Sequence, residues 1–307
     1  MSKIKIRTRT RKILADTITP VSIYLKLRDR FANSFLLESS DYHGAENSFS
    51  YICCSPLAYF KAGSDTIERK LPDGTLEIYS TQNLKEEIKS FTQTFEPDEP
   101  SDGFIKSGLF GYFNYDAKAQ FGDLKIDEVD DSIPIAQYHL FQFIIAMDHF
   151  RNECHIIEAY LDEPHDDLFE EVSVLIQQRN IPGYPFKTLG EKQSNKTDKE
   201  YLKMVEKGIH HCHIGDVFQV VLSRNFKIPY QGDDFQVYRT LRSVNPSPYL
   251  FYFDYGSFRI FGSSPEAQIV LKDRKAEIHP IAGTFRRTGD DKADSDLAEK
   301  LLKDPKE

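Results

Sequence analysis

The sequence predicts an α+β fold in which antiparallel strands dominate and helices are few. Three observations carry that expectation. Aromatic runs such as Ser48–Cys54 and Tyr138–Met147 read as strands. Turn signals recur between such runs, Pro72-Asp73-Gly74 among them. Helical periodicity is confined to a few windows, the clearest beginning at Thr197.

The elements follow in order. MSKIKIRTRTRKILADT alternates Lys and Arg with Ile and Thr, as on a half-exposed strand. The other reading of that segment is a basic nucleic-acid arm. Phe141–Asp148 and Glu153–Tyr160 form a hairpin-like pair joined by His149–Asn152. Leu168–Gln178 reads as a short helix. The polar, Pro- and Gly-containing run NIPGYPFKTLGEKQSNKT, residues 180–197, reads as a linker. It divides the chain into a first domain 1–185, a linker 186–197 and a second domain 198–307.

In the second domain Thr197 or Asp198 N-caps a helix with Glu200 in its first turn. Tyr201, Val205, Ile209 and Cys212 share one face, and Gly215 is the C-cap. A strand is expected over Val217–Phe226 and a helix over Phe235–Val244. Strands follow at Tyr249–Tyr255, Arg259–Gly262, Ala267–Lys272 and Lys275–Ile278, with turns at Asp254–Ser257 and Asp273-Arg274. The last residues, LAEKLLKDPKE, read as the first turns of a further helix, so this sheet is expected to be incomplete.

Composition narrows the function classes. The 307 residues, 40% hydrophobic and 13% aromatic, suffice for one large or two medium domains with a sizeable core. A formal charge of −9 argues against a general nucleic-acid binder. No apolar run reaches the roughly 18 residues of a membrane span, and the N-terminus lacks the apolar core of a secretory signal. The expected location is the cytoplasm, with Cys53, Cys54, Cys154 and Cys212 as buried free thiols.

Six motifs then occur in order: LLESS (36–40), GLFGYFNYDA (108–117), GDVFQVVLSRNF (215–226), NPSPYLFYFDY (245–255), GSSPE (262–266) and PIAGT (280–284). Together they resemble the large component of anthranilate synthase, a chorismate-using enzyme of tryptophan biosynthesis. The resemblance implies orthogonally packed antiparallel sheets with outer helices. It implies conversion of chorismate and ammonia to anthranilate and pyruvate, with Mg²⁺ as cofactor. It also implies a separate glutamine amidotransferase subunit in a heterotetramer, and feedback inhibition by L-tryptophan. Members of the family run longer than this chain, so the chain is expected to be truncated and inactive alone. The magnesium ligands are expected in the missing C-terminal part, with none here.

Residue roles follow from the same resemblance. Glu266 matches the general acid that helps expel the C4 hydroxyl, a task that suits a carboxyl with a raised pKa; alone it reads as a turn residue after Pro265. Gln219 stands where water-adding relatives carry a Lys base, which favours ammonia; alone it reads as a hydrogen-bonded strand residue. Ala282 stands where the aminodeoxychorismate branch often carries a nucleophilic Lys, which disfavours that branch. Gly283 and Thr284 match a chorismate-contacting pair, a glycine that admits close backbone approach beside a hydroxyl. Arg286 and Arg287 read equally as positive potential near a dianion or as a solvated basic turn.

The resemblance places a tryptophan pocket on Ser39, Pro248, Tyr249 and Leu250, where a hydroxyl and an aromatic ring can hold an amino acid and its indole. Leu250 replaces a Met common there. A non-catalytic tryptophan-binding fragment is the reading from a different class. His210-His211-Cys212-His213 does not converge on one ion if helical, because successive side chains point in different directions. The acidic clusters at 127–131 and 165–167 lack the EF-hand spacing and read as solvated loops.

Overall fold

The protein is described by a computed structural model covering residues 3–39, 48–80, 83–98, 103–121, 132–272, 274–279, 286, 288–301 and 303. It divides into two units, Met1–Ile181 with Leu241–Glu307, and Pro182–Thr240. The larger unit opens with strand β1 (Ile4–Leu14), helix α1 (Pro20–Leu27) and strands β2 (Phe35–Ser39), β3 (Phe49–Ala62), β4 (Thr66–Lys70) and β5 (Leu76–Ser80). Helix α2 (Leu84–Gln93), strands β6 (Phe95–Pro97) and β7 (Leu109–Phe113) and the short helix α3 (Lys118–Phe121) follow. Strands β8 (Ala136–Asp148) and β9 (Glu153–Tyr160) then lead to helix α4 (Asp166–Gln177). The smaller unit holds β10 (Phe186–Thr188), β11 (Gln193–Ser194), α5 (Asp198–His213), β12 (Phe226–Lys227) and β13 (Tyr230–Gly232). Helix α6 (Phe235–Val244) carries the chain back to β14 (Tyr249–Asp254), β15 (Arg259–Ser264), β16 (Val270–Lys272), β17 (Lys275–Glu277) and α7 (Asp291–Leu301).

The α+β class holds. Eleven strands form one sheet along the path β15-β14-β2-β3-β8-β9-β1-β6, with β4 and β7 joining β3 and β8, and β5 joining β4. Every pair in it is antiparallel except β1 with β6. The β8–β9 hairpin matches expectation, with Asp148 opposite Glu153. β8 is buried on both faces along almost its whole length, so its sequence AQYHLFQFIIAMD reads as a near-continuous apolar run. Gly74, at φ +88°, takes the turn position assigned to Pro72-Asp73-Gly74.

The division into domains differs from the expected one. β14 and β15 belong to the same sheet as β2, so they are not part of a separate C-terminal domain. The expected linker carries two short ladders, Phe186 opposite Gly232 and Gln193 opposite Lys227. Val217–Phe226 is not a strand. Only Phe226 and Lys227 find a ladder partner among the described residues, and alternation without a partner strand does not make a ladder. The strand expected from Ala267 begins at Val270. α5 forms as expected, with a reciprocal capping box between Thr197 and Glu200 and Gly215 at φ +83° beyond its end. None of its residues is fully buried, those of the face shared by Tyr201, Val205, Ile209 and Cys212 included. All four cysteines are free; Cys53, Cys54 and Cys154 are buried, whereas Cys212 is exposed.

The basic N-terminal strand has a structural use. Glu158 on β9 is wholly buried and accepts from Arg9 Nε at 2.6 Å, from Gln142 Nε2 at 3.2 Å and from the His165 backbone N–H at 3.0 Å. Arg9 and Arg11 both lie over the Phe169 ring of α4, at 4.4 and 4.7 Å from its centroid, and also pair with Asp166 and Glu170. Two guanidiniums thus dock α4 on β1 through cation–π and ionic contacts. At the other end of α4, the buried Lys26 Nζ donates to the Ile176 carbonyl at 2.8 Å. This satisfies one of the acceptors a helix C-terminus leaves open; burial lowers the Lys26 pKa.

His139 on β8 lies in an aromatic cage. It stacks on Phe35 with centroids 5.5 Å apart and meets Tyr255 edge-on at 5.3 Å. Burial pushes its pKa from 6.5 down to about 4, and burial also lowers those of His149 and His155.

Two outcomes are expected. Glu158→Ala removes the acceptor shared by Gln142 Nε2 and the His165 N–H and one of the two carboxylates paired with Arg9, and should lower the unfolding free energy by about 1–3 kcal/mol in urea titrations; a loss under about 0.5 kcal/mol would contradict the arrangement. Second, the unfolded chain takes up a proton near pH 6.5, while folded His139 resists until about pH 4. Stability is therefore fully present above that window and is lost as pH falls through it. His139→Gln should flatten the slope of unfolding free energy against pH between those limits.

Candidate functional site

Three of the six motifs become neighbouring strands. LLES lies on β2, YLFYFD on β14 and GSS on β15. In register, Tyr249 stands between Ser39 on one side and Ser264 on the other; Leu250 stands between Glu38 and Ser263. Side chains along β14 alternate between the two faces of the sheet. Leu250 and Tyr252 are buried on one face, while Tyr249 on the other is 46% exposed. Pro248 is half-buried at the strand's entry. The register thus sets Ser39 beside Tyr249 on one face, with Pro248 adjoining, while Leu250 falls on the opposite, buried face.

β7, from the GLFGYF motif, lies across β8, and the cleft between it and this strand group measures about 550 Å³. Leu37, Tyr249, Phe251, Phe253 and Ile260 line it from the sheet, and residues 111–114 and Ile133 from the other side. Two glycines set its walls. A Cβ at Gly111 would sit 2.0 Å from the Gln137 carbonyl, so only glycine lets β7 approach β8 this closely. A Cβ at Gly262 would meet the Phe251 ring at 2.8 Å.

Glu38 also reaches this cleft, is almost fully buried, and accepts from Arg242 Nε through both oxygens at 3.1 Å. That pair ties α6 to β2 across a sequence separation of 204. The NPSP loop is held to β15 by Ser263 Oγ donating to the Asn245 carbonyl at 2.6 Å. Sequence reasoning missed Glu38, Arg242 and residues 111–114. The Glu of LLES, flanked by apolar residues, was the available signal for the first; nothing local marked Arg242 as its partner.

The expected catalytic residues are not assembled by the described residues. Glu266 follows β15 and is exposed, its backbone held in a turn by Ser264 Oγ, which donates to the Glu266 carbonyl at 3.1 Å. The enclosed site expected around it is not formed by the described residues. Gln219 is exposed in the irregular stretch of the smaller unit, not on a strand. Arg286 is exposed, while Ala282, Gly283, Thr284 and Arg287 lie outside the described residues. Among the described residues no three His, Cys, Asp or Glu side chains converge as a metal cage.

The chorismate binding enzyme family model matches residues 34–307, and the chain belongs to that family. Among particular proteins, it is 30% identical over 96% of its length to anthranilate synthase component 1 of Aquifex aeolicus, covering 63% of that protein. It is 31% identical to the component 1 proteins of Geobacillus stearothermophilus and Thermus thermophilus, over 97% and 99% of the chain and 63% and 65% of theirs. The chain thus spans somewhat under two thirds of the length of these relatives. The fold is that of anthranilate synthase component I from Streptococcus pneumoniae, with TM-score 0.62 at 22% identity, covering 96% of this chain and 64% of that one. The menaquinone-specific isochorismate synthase of Escherichia coli shares it at TM-score 0.56 and 13% identity, over 99% and 60%.

Arg242→Ala should deprive a buried carboxylate of its guanidinium, at about 1–3 kcal/mol. Hydrogen exchange should then quicken along Phe35–Ser39 and Tyr249–Phe253 while β9 keeps its protection; unchanged exchange in β2 and β14 would count against the pair as the tie.

Proposed function

We propose that this chain is the part of an anthranilate synthase component I that carries its tryptophan pocket and the first portion of its chorismate site. The observation that carries the reading is the end-to-end similarity, at 30–31% identity, to component 1 proteins. The reaction adds ammonia at C2 of chorismate, expels the C4 hydroxyl as water, and eliminates pyruvate to leave the aromatic ring of anthranilate. Glu266 donates the proton that turns the C4 hydroxyl into water. In the assembled site that carboxyl needs an apolar or anionic neighbourhood to stay protonated at neutral pH. Gly283 and Thr284 bind a substrate carboxylate through backbone N–H and hydroxyl donors. Gln219 offers no general base, which suits ammonia, already a nucleophile, and does not suit water.

Tryptophan, on this reading, binds at the β2–β14 cleft. The Ser39 hydroxyl bonds its amino-acid head, Tyr249 and Pro248 flank the indole, and Leu250 backs the strand from beneath. The cleft's volume, its apolar sheet wall and the register of Ser39 against Tyr249 support this. Tryptophan then acts through the strand group to which GSSPE also belongs, coupling two sites by one shared element. Ammonia reaches the enzyme from a glutamine amidotransferase subunit. Magnesium belongs to the proposal for the whole protein, with none of the described side chains assigned to hold it.

The rival readings are an isochorismate-type reaction, disfavoured by Gln219, and the aminodeoxychorismate branch, disfavoured by Ala282. The test uses the whole protein that contains this chain, with chorismate, ammonium and Mg²⁺, and identifies the product. Anthranilate is expected; isochorismate or aminodeoxychorismate as sole product overturns the reading. Glu266→Gln should lower kcat by about 10²–10⁴-fold with chorismate still bound. Ser39→Phe should leave turnover intact and abolish inhibition by tryptophan; full sensitivity in that variant would refute the pocket.

A further inference from the structure

Lys61, Gln137 and Tyr112 form a row across three strands. Lys61 of β3 and Tyr112 of β7 stand opposite Gln137 of β8 from its two sides. Directly opposed residues project from the same face of a sheet, so the three side chains share one face. A cavity of about 480 Å³, in the range of small-molecule sites, lies beside this row. Lys61, Gln137, Tyr255 and Phe258 line it, together with residues 63–66 and 132–134. It shares Ile133 with the cleft at β14 but contains none of Ser39, Pro248, Tyr249 or Leu250. Gln137 carries the argument. It is only 9% exposed, and among the described residues nothing donates to its Oε1. Its Nε2 lies 3.1 Å from Nε2 of His139, and its backbone carbonyl accepts from the Tyr255 hydroxyl at 3.1 Å. A buried acceptor without a donor is costly, and nearly all such groups in folded proteins find a partner. Lys61 adds positive charge beside it. Its Nζ is 3.4 Å from Glu68 Oε2, a long contact that leaves donors over. Phe258 stacks on Tyr255 with centroids 4.9 Å apart and supplies an aromatic wall. Among the described lining residues Lys61 is the only cation and Asp65, exposed, the only anion.

Each feature sets one property of the ligand. The unpartnered Oε1 calls for an N–H donor. That donor is neutral, because an ammonium there would lie beside the Lys61 ammonium. Lys61 takes a carboxylate. Asp65 disfavours a second negative charge, and with it phosphates. Phe258 suits a planar ring, stacked or edge-on. Because Lys61 and Gln137 are directly opposed, the carboxylate and the N–H must be neighbours on that ring. We propose that this cavity binds a small aromatic monocarboxylate with a neutral amino group ortho to the carboxylate. The carboxylate lies on Lys61, the amino N–H donates to Gln137 Oε1, and the ring packs against Phe258. Anthranilate has this chemistry. It is also the product named under the proposed function, so on that reading the cavity is a product site apart from the reacting centre. Only this product role rests on that reading; the ligand chemistry comes from the cavity itself.

The chain contains no tryptophan, so anthranilate fluorescence is read without an indole background. Titration of the 307-residue chain should show one saturable site, with benzoate and para-aminobenzoate weaker by about tenfold or more. Lys61→Gln, at a half-buried position, should keep the circular dichroism spectrum and melting midpoint and weaken anthranilate by about tenfold or more. Gln137→Met keeps much of the side-chain volume and removes the acceptor. It should abolish the preference for anthranilate over benzoate while benzoate affinity stays the same. In the whole protein that contains this chain, Lys61→Gln should remove one anthranilate site and leave the product of turnover unchanged. Failure of this site and failure of the proposed reaction are thereby read separately. Absence of saturable binding, equal affinity for benzoate, or full affinity in Lys61→Gln overturns the proposal.

Discussion

The ladder between β2 and β14 holds the candidate site together. It sets Phe35–Leu37 and Glu38-Ser39 against Phe253–Phe251 and Leu250-Tyr249, segments far apart in the chain. Phe35 is its anchor. Its ring stacks on Phe253 with centroids 4.5 Å apart and meets Phe141 and Tyr255 edge-on, both at 4.9 Å. Each such pair adds about 0.5–1.5 kcal/mol beyond the burial of its area. Because side chains alternate with period two, a slip of one residue would turn Ser39 and Tyr249 away from the cleft and bury them. The aromatic cluster therefore fixes register as well as stability, and the pocket inherits its geometry from that register.

Buried polar groups add specificity to this apolar frame. Glu158, Gln142 and Arg9 form one network beneath α4, and Glu38 with Arg242 forms another beside the cleft. A buried carboxylate is tolerable only with its partners present, so each network admits few alternative packings. His139 belongs to the same class of constraint. It is neutral because its cage excludes the water that an imidazolium needs, and protonating it would remove the ring acceptor now within 3.1 Å of the Gln137 amide nitrogen.

The smaller unit is organised differently. The capped α5 is locally well specified, yet Leu202, Ile209, Phe218 and Val221 are all exposed. The alternation in VFQVVLSRNF is a pattern for a half-buried strand without a neighbouring strand among the described residues. Gln219, to which the proposed reading gives the preference for ammonia over water, sits in this stretch and is exposed.

The sequence by itself determined the local events. Thr197 with Glu200 started a helix, Pro72-Asp73-Gly74 closed a hairpin, and His149–Asn152 joined β8 to β9, because caps and tight turns depend on a few adjacent residues. The motifs determined the family, since their order survives in the chain whatever its packing. Only the tertiary structure decided which strands are neighbours. That β14 pairs with β2, that the expected linker holds β10 and β11, that 217–225 forms no strand ladder among the described residues and that Arg242 serves Glu38 are all non-local outcomes. Each turns on a partner distant in sequence, and a strand's pattern states only that one face will be buried, without naming what will bury it.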